Sequence, residues 1–289
     1  MSIKEGFVEV TGGKIWYQIH GSSQQNTPVI ILHGGPGSSH YSLQGLRILA
    51  EERPVIFYDQ LGCGKSDRPA DTSLWRLNRF VEELGHLRNT LYLDEFHILG
   101  HSWGTALAAA YYLAHPKGVK SIVFSSPCLS APLWAKDQEK NRKRLPPDVQ
   151  QILTACEENG TTDSAEYKEA TAVFNSYFVC RLDPNPVFLK NGAQYKNPDV
   201  YQIMWGPSEF HVTGNLRDFD CTSSLKDILI PTLFTCGRYD EATPVSTEYF
   251  SSLTPNAKFH VFEKSAHMAY LEEQEEYVRV INDFLKNQD

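Results

Sequence analysis

The stretch that most constrains this chain is Gly100-His101-Ser102-Trp103-Gly104. The apolar residues 96–99 before it predict a short buried strand, and residues 105–114 after it predict a helix. Glycines two positions before and after a serine at such a turn are typical of a nucleophile elbow, which has no room for side chains at its flanks and raises the serine hydroxyl above the sheet edge. The alternative is a glycine-rich turn with a capping serine.

Length and composition indicate an ordinary globular protein. The 289 residues, 41% hydrophobic and 21% charged, could form one large α/β domain or a core with an inserted cap. The net charge of −8 argues against a nucleic acid or an anionic membrane as a partner. No apolar run approaches the ~18 residues that a membrane span needs, and the first residues lack the basic and apolar regions of a secretory signal.

The cysteines indicate the compartment. Six of them are scattered along the chain without C-x-x-C spacing. Because a chain of this size needs no disulfides to fold, free thiols in a reducing cytoplasm are the expected state. We therefore expect a cytoplasmic protein. The sequence leaves the oligomeric state open, and a monomer is the working expectation.

Predicted strands and helices alternate over most of the chain. Two strands around Thr11-Gly12-Gly13 predict an N-terminal antiparallel hairpin. Further strands are predicted at residues 28–32, 54–58, 96–99, 119–124, 230–236 and 257–262, and helices at residues 43–50, 74–93, 105–114, 244–253 and 275–285. Alternation of this kind favours a mostly parallel sheet with right-handed crossovers, flanked by helices.

The middle of the chain departs from this alternation. Residues 136–144, 148–158 and 164–178 are charged and helix-forming, and the region is interrupted by Pro146-Pro147, Pro184, Pro186 and Pro198. We interpret residues 130–220 as a mainly helical cap, inserted into a core formed by residues 1–129 and 221–289.

A serine hydroxyl is a poor nucleophile at neutral pH and needs a base, which is itself oriented by a third group. Ser102, Asp240 and His267 each follow a different predicted strand. The carboxyl ends of parallel strands share one edge of a sheet, so the three side chains can meet there. Their order along the chain is that of α/β-hydrolases. We predict that His267 takes the Ser102 proton and that Asp240 holds the imidazole in the required tautomer.

Other residues compete for the base and acid roles. His260 lies within a strand pattern, Asp227 precedes a strand and so belongs to the opposite edge, and Glu241 is the neighbour of Asp240 and is expected to point elsewhere. The serine at the elbow argues against dehalogenase or epoxide-hydrolase chemistry, for which an aspartate is needed there.

A tetrahedral intermediate needs backbone N–H donors. We expect one from Trp103, directly after the nucleophile, and one from Gly35 in the Gly34-Gly35 turn that follows the strand at residues 28–32. The alternative for that turn is an ordinary Gly/Pro loop.

Five motifs together resemble the proline iminopeptidase (prolyl aminopeptidase) family of α/β-hydrolases. They are His33-Gly34-Gly35-Pro36-Gly37, Asp59-x-x-Gly62-x-Gly64-x-Ser66, Gly100-His101-Ser102-Trp103-Gly104, Gly237-Arg238-Tyr239-Asp240 and Ser265-Ala266-His267-Met268. Within the cap, the stretch from Met204 to Phe210 is similar to the branch that includes the tricorn-interacting aminopeptidase. The resemblance implies an α/β-hydrolase fold and release of an N-terminal residue, often proline, from short peptides without a metal or cofactor.

The resemblance also implies how the substrate amine is held. Glu209 and Glu241 match the family's amine-binding glutamates, and carboxylates bind a protonated amine through charge-assisted hydrogen bonds. Without the family match, the residues favour a solvated cap residue for Glu209 and an acid in the first turn of a helix for Glu241. Gly34 would lie against the substrate, and Tyr201 and Trp205 could wall an apolar pocket or simply pack in the cap.

Other functions remain open from the sequence. An amino-acid amidase or ester hydrolase would use the same site with a different leaving group, and a ligand-binding receptor could be built on the same scaffold. The histidines are not at metal-ligand spacing, and Gly62-x-Gly64 lacks the context of a nucleotide-binding loop. The preferred N-terminal side chain is not determined by the sequence.

Overall fold

The computed structural model describes residues 2–22, 24–183 and 186–289. Eight strands form one sheet in the order β1-β2-β4-β3-β5-β6-β7-β8. Their bounds are β1 Ile3–Val10, β2 Gly13–His20, β3 Val29–Leu32, β4 Val55–Tyr58, β5 Phe96–His101, β6 Val119–Ser125, β7 Thr232–Gly237 and β8 Ala257–Phe262. The β1–β2 and β2–β4 pairs are antiparallel, and the other pairs are parallel. The predicted fold class and the N-terminal hairpin are confirmed.

The helices are α1 Leu77–Thr90, α2 Trp103–Ala114, α3 Ala131–Arg142, α4 Pro147–Asn159, α5 Ala165–Phe178, α6 Val187–Gly192, α7 Pro198–Met204, α8 Pro244–Ser252, α9 Ala269–Glu272 and α10 Gln274–Lys286. Short 3-10 helices cover His40–Glu51, Thr72–Leu74, Ala193–Tyr195 and Thr222–Asp227. The helix predicted at residues 43–50 is therefore of the 3-10 type. The sequence missed α6, α7 and α9, because four to seven residues span too few turns to show a helical period.

The inner strands are mostly apolar because helices cover both faces of the sheet. Along β3, Ile30 and Leu32 face one hydrophobic cluster, together with side chains of α1 and α2. Val29 and Ile31 face the other cluster, together with side chains of α10. This alternation with a period of two is the expected consequence of strand geometry.

The segment between β6 and β7 contains α3 to α7 and no strand among its described residues. Its helices α4 and α5 share a small apolar cluster of their own, which includes Leu153 and Phe174. The two ends of the segment lie side by side: the Ala131 N–H donates to the Phe219 carbonyl at 2.8 Å, and the Cys221 N–H donates to the Leu129 carbonyl at 3.0 Å. This pairing supports our assignment of residues 130–220 as a cap.

Candidate active site

Ser102 lies at the sharp turn between β5 and α2. Its backbone has φ 56° and ψ −126°, a combination that residues other than glycine rarely adopt. A Cβ at Gly100 would overlap the carbonyl oxygen of Gly104, and one at Gly104 would overlap the carbonyl oxygen of Leu32. Both flanking glycines are therefore required by the close approach of backbone, as the sequence pattern predicts for an elbow.

His267 and Asp240 lie on the loops after β8 and β7. The Nδ1–H of His267 donates to Oδ1 of Asp240 at 2.7 Å. Asp240 also accepts the backbone N–H groups of Gly237 at 3.2 Å and Ala242 at 2.8 Å, so its buried charge is well hydrogen-bonded. The proton on Nδ1 leaves Nε2 of His267 free to act as a base.

His101 contacts both the backbone and the ring of His267, and the sequence did not predict this contact. Its Nε2 lies 2.9 Å from the carbonyl oxygen of His267, and the two rings are 4.7 Å apart. Burial, and then the nearby His267, lowers the pKa of His101 to about 3. A neutral His101 can donate from Nε2 without placing a second positive charge beside His267. The Ser126 hydroxyl donates to the same carbonyl at 3.0 Å.

A cavity of about 830 Å³ lies between this edge of the sheet and the cap helices. Ser102 and His267 line it together with Gly34, Gly35, Tyr201 and Glu209. A Cβ at Gly34 would lie 2.9 Å from Cβ of Ser102, so the Gly34-Gly35 turn packs directly against the elbow. Gly35 has φ +110°, which favours glycine. The structure thus brings these six predicted residues to one cavity.

Glu241 is buried beside this cavity without a counter-charge in hydrogen-bond contact. Its side chain is 1% exposed, and within the described part of the chain neither carboxylate oxygen has a hydrogen-bond partner. Its Oε1 lies 3.7 Å from Nε2 of His267. Burial raises the pKa of Glu241 well above the usual value, and the negative charges of Glu209 and Asp240 raise it further. Such a carboxylate lacks the cation that would stabilise its charge.

Glu209 is partly exposed to the cavity. Burial raises the pKa of its carboxyl group, whereas His267 and a hydrogen bond from the Tyr201 hydroxyl lower it. Glu209 is close enough to Glu241 for its negative charge to raise the pKa of the Glu241 carboxyl group. Glu209 therefore faces the cavity, and the Glu241 carboxyl group is buried beside it without a hydrogen-bond partner among the described residues.

Trp205 packs within the cap and does not wall an apolar pocket, which is the second of the two interpretations that the sequence left open. Trp205 does not line the cavity: it is 4% exposed and packs edge-on against Trp134, with 5.8 Å between ring centroids. Trp134 packs edge-on against His267 at 6.0 Å and donates its indole N–H to the Glu209 carbonyl at 2.7 Å. The sequence missed Trp134, because in a charged helix a lone tryptophan shows no functional pattern. Tyr201 is on the cavity wall as expected.

The structure also addresses metals and membranes. Among the described residues, no group of three or more His, Cys, Asp or Glu side chains is arranged to hold a metal ion. None of the helices described is long and apolar enough to span a bilayer.

Comparisons with known proteins were made by sequence and by structure. Residues 27–274 match the family described as alpha/beta hydrolase fold. A proline iminopeptidase from Heyndrickxia coagulans is 64% identical, over 98% of this chain and 99% of its own. The crystal structure of proline iminopeptidase from Mycobacterium smegmatis has a TM-score of 0.90, with 33% identity over 99% of this chain and 98% of its own. The crystal structure of VinJ has a TM-score of 0.95, with 36% identity over 99% of both chains.

Proposed function

This chain belongs to the proline iminopeptidase family of α/β-hydrolases, and from that premise we propose that it is a serine aminopeptidase. Its substrates are short peptides with a free N-terminal amine, and it releases the first residue, proline or another apolar residue. The observation that carries this proposal is Glu241, a buried carboxylate without a hydrogen-bond partner within the described residues, beside His267. A protonated substrate amine supplies the missing cation.

The proposed reaction proceeds through an acyl-enzyme. Ser102 Oγ attacks the carbonyl carbon of the first residue while Nε2 of His267 accepts the hydroxyl proton. The backbone N–H groups of Gly35 and Trp103 bind the resulting oxyanion. When the C–N bond breaks, His267 returns the proton to the leaving amine. Water, deprotonated by His267, then hydrolyses the ester on Ser102 and releases the free amino acid, while Asp240 stabilises the imidazolium in each step.

The two glutamates explain why a free amine is required. An ammonium group between Glu209 and Glu241 forms charge-assisted hydrogen bonds in a site of low dielectric. An N-acylated peptide brings no charge, so the Glu241 carboxylate would stay buried and without a partner on binding. The cap closes over the cavity of about 830 Å³, which favours short peptides over folded proteins.

The first experiment compares the wild type with Glu241→Gln and Glu209→Gln on a prolyl anilide. We expect kcat/KM to fall on the order of 10²-fold, because removing one partner of a buried charge pair costs about 2–5 kcal/mol. The N-acetylated anilide is the matched substrate control, and both variants should hydrolyse it as slowly as the wild type does. Unchanged turnover of the free-amine substrate by both variants would disprove amine recognition by this pair.

A second experiment separates the peptidase from the amidase, esterase and receptor alternatives. Turnover is measured on dipeptides, amino-acid amides and amino-acid esters with the same first residue. A peptidase shows kcat/KM for dipeptides at least equal to that for amides, whereas preference for amides or esters supports an amidase or ester hydrolase. Labelling by a fluorophosphonate that is lost in Ser102→Ala excludes the receptor, and failure of folded wild type to label would support it.

A further inference from the structure

Gln60 connects the two segments that would bind the oxyanion. It lies in the loop after β4, is 1% exposed, and does not line the cavity. Its side-chain Oε1 accepts the indole N–H of Trp103 at 2.9 Å, and its side-chain Nε2–H donates to the carbonyl oxygen of His33 at 3.0 Å. One amide group therefore joins the residue after Ser102 to the residue before Gly34.

The backbone N–H of Gln60 is linked through the His33 ring to the Gly34-Gly35 turn. The Gln60 N–H donates to Nε2 of His33 at 3.0 Å, and Nδ1 of His33 lies 3.0 Å from the Gly34 carbonyl oxygen. Burial lowers the pKa of His33 and so favours the neutral ring. With Nε2 accepting, the single ring proton is on Nδ1 and is donated to the Gly34 carbonyl.

That carbonyl determines where the Gly35 N–H points. The Gly34 C=O and the Gly35 N–H belong to one planar peptide unit, so a hydrogen bond that holds the oxygen also sets the direction of the N–H. Gly35 has φ +110° and no side chain to restrain it. The orientation of this donor therefore depends on the hydrogen bonds from His33 and Gln60.

We propose that Gln60 is a positioning residue for the oxyanion hole: it holds the backbone N–H groups of Gly35 and Trp103 at the spacing that the tetrahedral intermediate needs. This inference rests on the proposed function, which assigns those two donors. Donors that are already oriented before the reaction stabilise a developing oxyanion without further reorganisation, and this is commonly the largest electrostatic contribution to catalysis.

The chemistry of the side chain supports the assignment. An amide offers one acceptor and one donor side by side, as the Trp103 indole and the His33 carbonyl require. Leucine in place of Gln60 would fill similar volume but leave both of those groups buried without partners. The Gln60 carbonyl in turn accepts a hydrogen bond from the Cys63 thiol at 3.1 Å, so the backbone that carries the amide is itself restrained.

The experiment compares wild type with Gln60→Leu on a prolyl anilide and with a prolyl boronic acid, whose adduct with Ser102 is tetrahedral. We expect kcat to fall about tenfold or more, less than the ~10²–10³ for complete removal of an oxyanion donor. We expect KM and the Kd of the product amino acid to change less than twofold. Affinity for the boronic acid should fall in parallel with kcat/KM.

Trp103→Phe is the second variant, because it deletes only the indole hydrogen bond and keeps the backbone N–H. It should show a smaller loss of the same kind, and the double variant should lose less than the product of the two single effects. Ser121→Ala is the matched control: it removes a buried 2.8 Å hydrogen bond to His97, within the sheet, and should lower Tm without changing kcat. Gln60→Asn, which keeps the amide, should recover part of the lost kcat.

Three results would overturn the inference: an unchanged kcat in Gln60→Leu, an unchanged affinity for the boronic acid, or a rise in KM alone. A lower Tm with unchanged kinetics would mean that Gln60 is only structural. Failure of the proposed function looks different, since the wild type itself would then not hydrolyse the prolyl anilide. In that case the rate of fluorophosphonate labelling of Ser102, compared between wild type and Gln60→Leu, still tests the role of Gln60.

Discussion

At the scale of single residues, two carboxylates lie on opposite sides of one histidine. Asp240 accepts the Nδ1–H of His267 at 2.7 Å, and Glu241 lies 3.7 Å from Nε2. An ionised Glu241 favours a proton on Nε2, whereas in the proposed reaction Nε2 accepts the proton of Ser102. If Glu241 binds the substrate ammonium as proposed, the positive charge offsets this effect. The need for a free amine would therefore act on the chemical step as well as on binding.

The raised pKa of Glu241 also predicts how the stability of the protein changes with pH. A carboxyl group whose pKa is raised on folding binds more protons in the folded than in the unfolded chain. The free energy of unfolding therefore falls as the pH rises from about 4.5, the ordinary pKa, towards the raised pKa of the folded protein. We expect Glu241→Gln to be more stable than wild type at pH 8 by about 1 kcal/mol or more, and equal to it below pH ~4.

Thermal unfolding of both proteins from pH 4 to pH 8 measures this difference. A variant that is less stable than wild type at pH 8 would show that Glu241 has a partner that stabilises its charge. The gain in stability together with the loss of activity would be the trade-off expected of a site built to bind a ligand.

At the scale of elements, the end of α5 contacts both loops of the site. The carbonyl oxygen of Phe178 accepts the N–H groups of Glu241 and His267, each at 3.2 Å, and that of Val179 accepts the Met268 N–H at 3.1 Å. The last turn of this cap helix is thus hydrogen-bonded to the core at the proposed base. These hydrogen bonds support a role for the proposed cap in positioning the proposed site as well as in covering it.

A second contact between the cap and the core involves α3 and α8. Asp137 on α3 accepts hydrogen bonds from Ser246 Oγ and from Thr243 Oγ1, the latter at 2.7 Å, near the positive end of α8. We expect Asp137→Ala to lower the free energy of unfolding by about 2–3 kcal/mol, because these bonds are buried and one partner is charged. Urea titration measures the loss.

Lys140→Ala is the control for Asp137→Ala. Lys140 pairs with the same carboxylate at 3.1 Å, but its side chain is 70% exposed. An exposed ion pair contributes little, about 0–1 kcal/mol. Equal losses in the two variants would contradict the view that the buried bonds to α8 stabilise this contact.

Gly104 in the elbow and Gly85 in α1 provide a matched pair of sites for substitution by alanine. A Cβ at Gly104 would overlap the backbone oxygen of Leu32, whereas a Cβ at Gly85, inside α1, meets nothing within 4 Å. We expect Gly85→Ala to raise the free energy of unfolding by about 0.5–1 kcal/mol with unchanged kcat/KM. Gly104→Ala should unfold at lower denaturant and lose activity. A Gly104→Ala protein with wild-type stability and turnover would contradict the described elbow.

At the scale of the whole molecule, the order of strands assembles the site. β3 and β5 are neighbours in the sheet, β6 separates β5 from β7, and β8 lies beside β7. All of these strands are parallel, so the loops that carry Gly35, Ser102, Asp240 and His267 leave the sheet at the same edge. The 130–220 segment enters between β6 and β7, directly over this edge, which is why it can close the cavity.

The amino-acid sequence by itself predicted the strands, most of the long helices, the two glycines around Ser102, and the placement of Asp240 and His267 after strands. These features depend on near neighbours in the chain: the period of a strand or helix, and the space at a tight turn, are local properties. The helical character of residues 130–220 was predictable for the same reason.

Only the tertiary structure decided which side chains face the cavity and which groups hold them. It placed Trp134 rather than Trp205 against His267, brought Glu241 to Nε2 of that histidine, and joined Trp103 to His33 through Gln60. These contacts join residues far apart in the chain, and they depend on how the cap docks and how loops cross the sheet edge. No local pattern encodes such distances, because they result from the packing of the whole molecule.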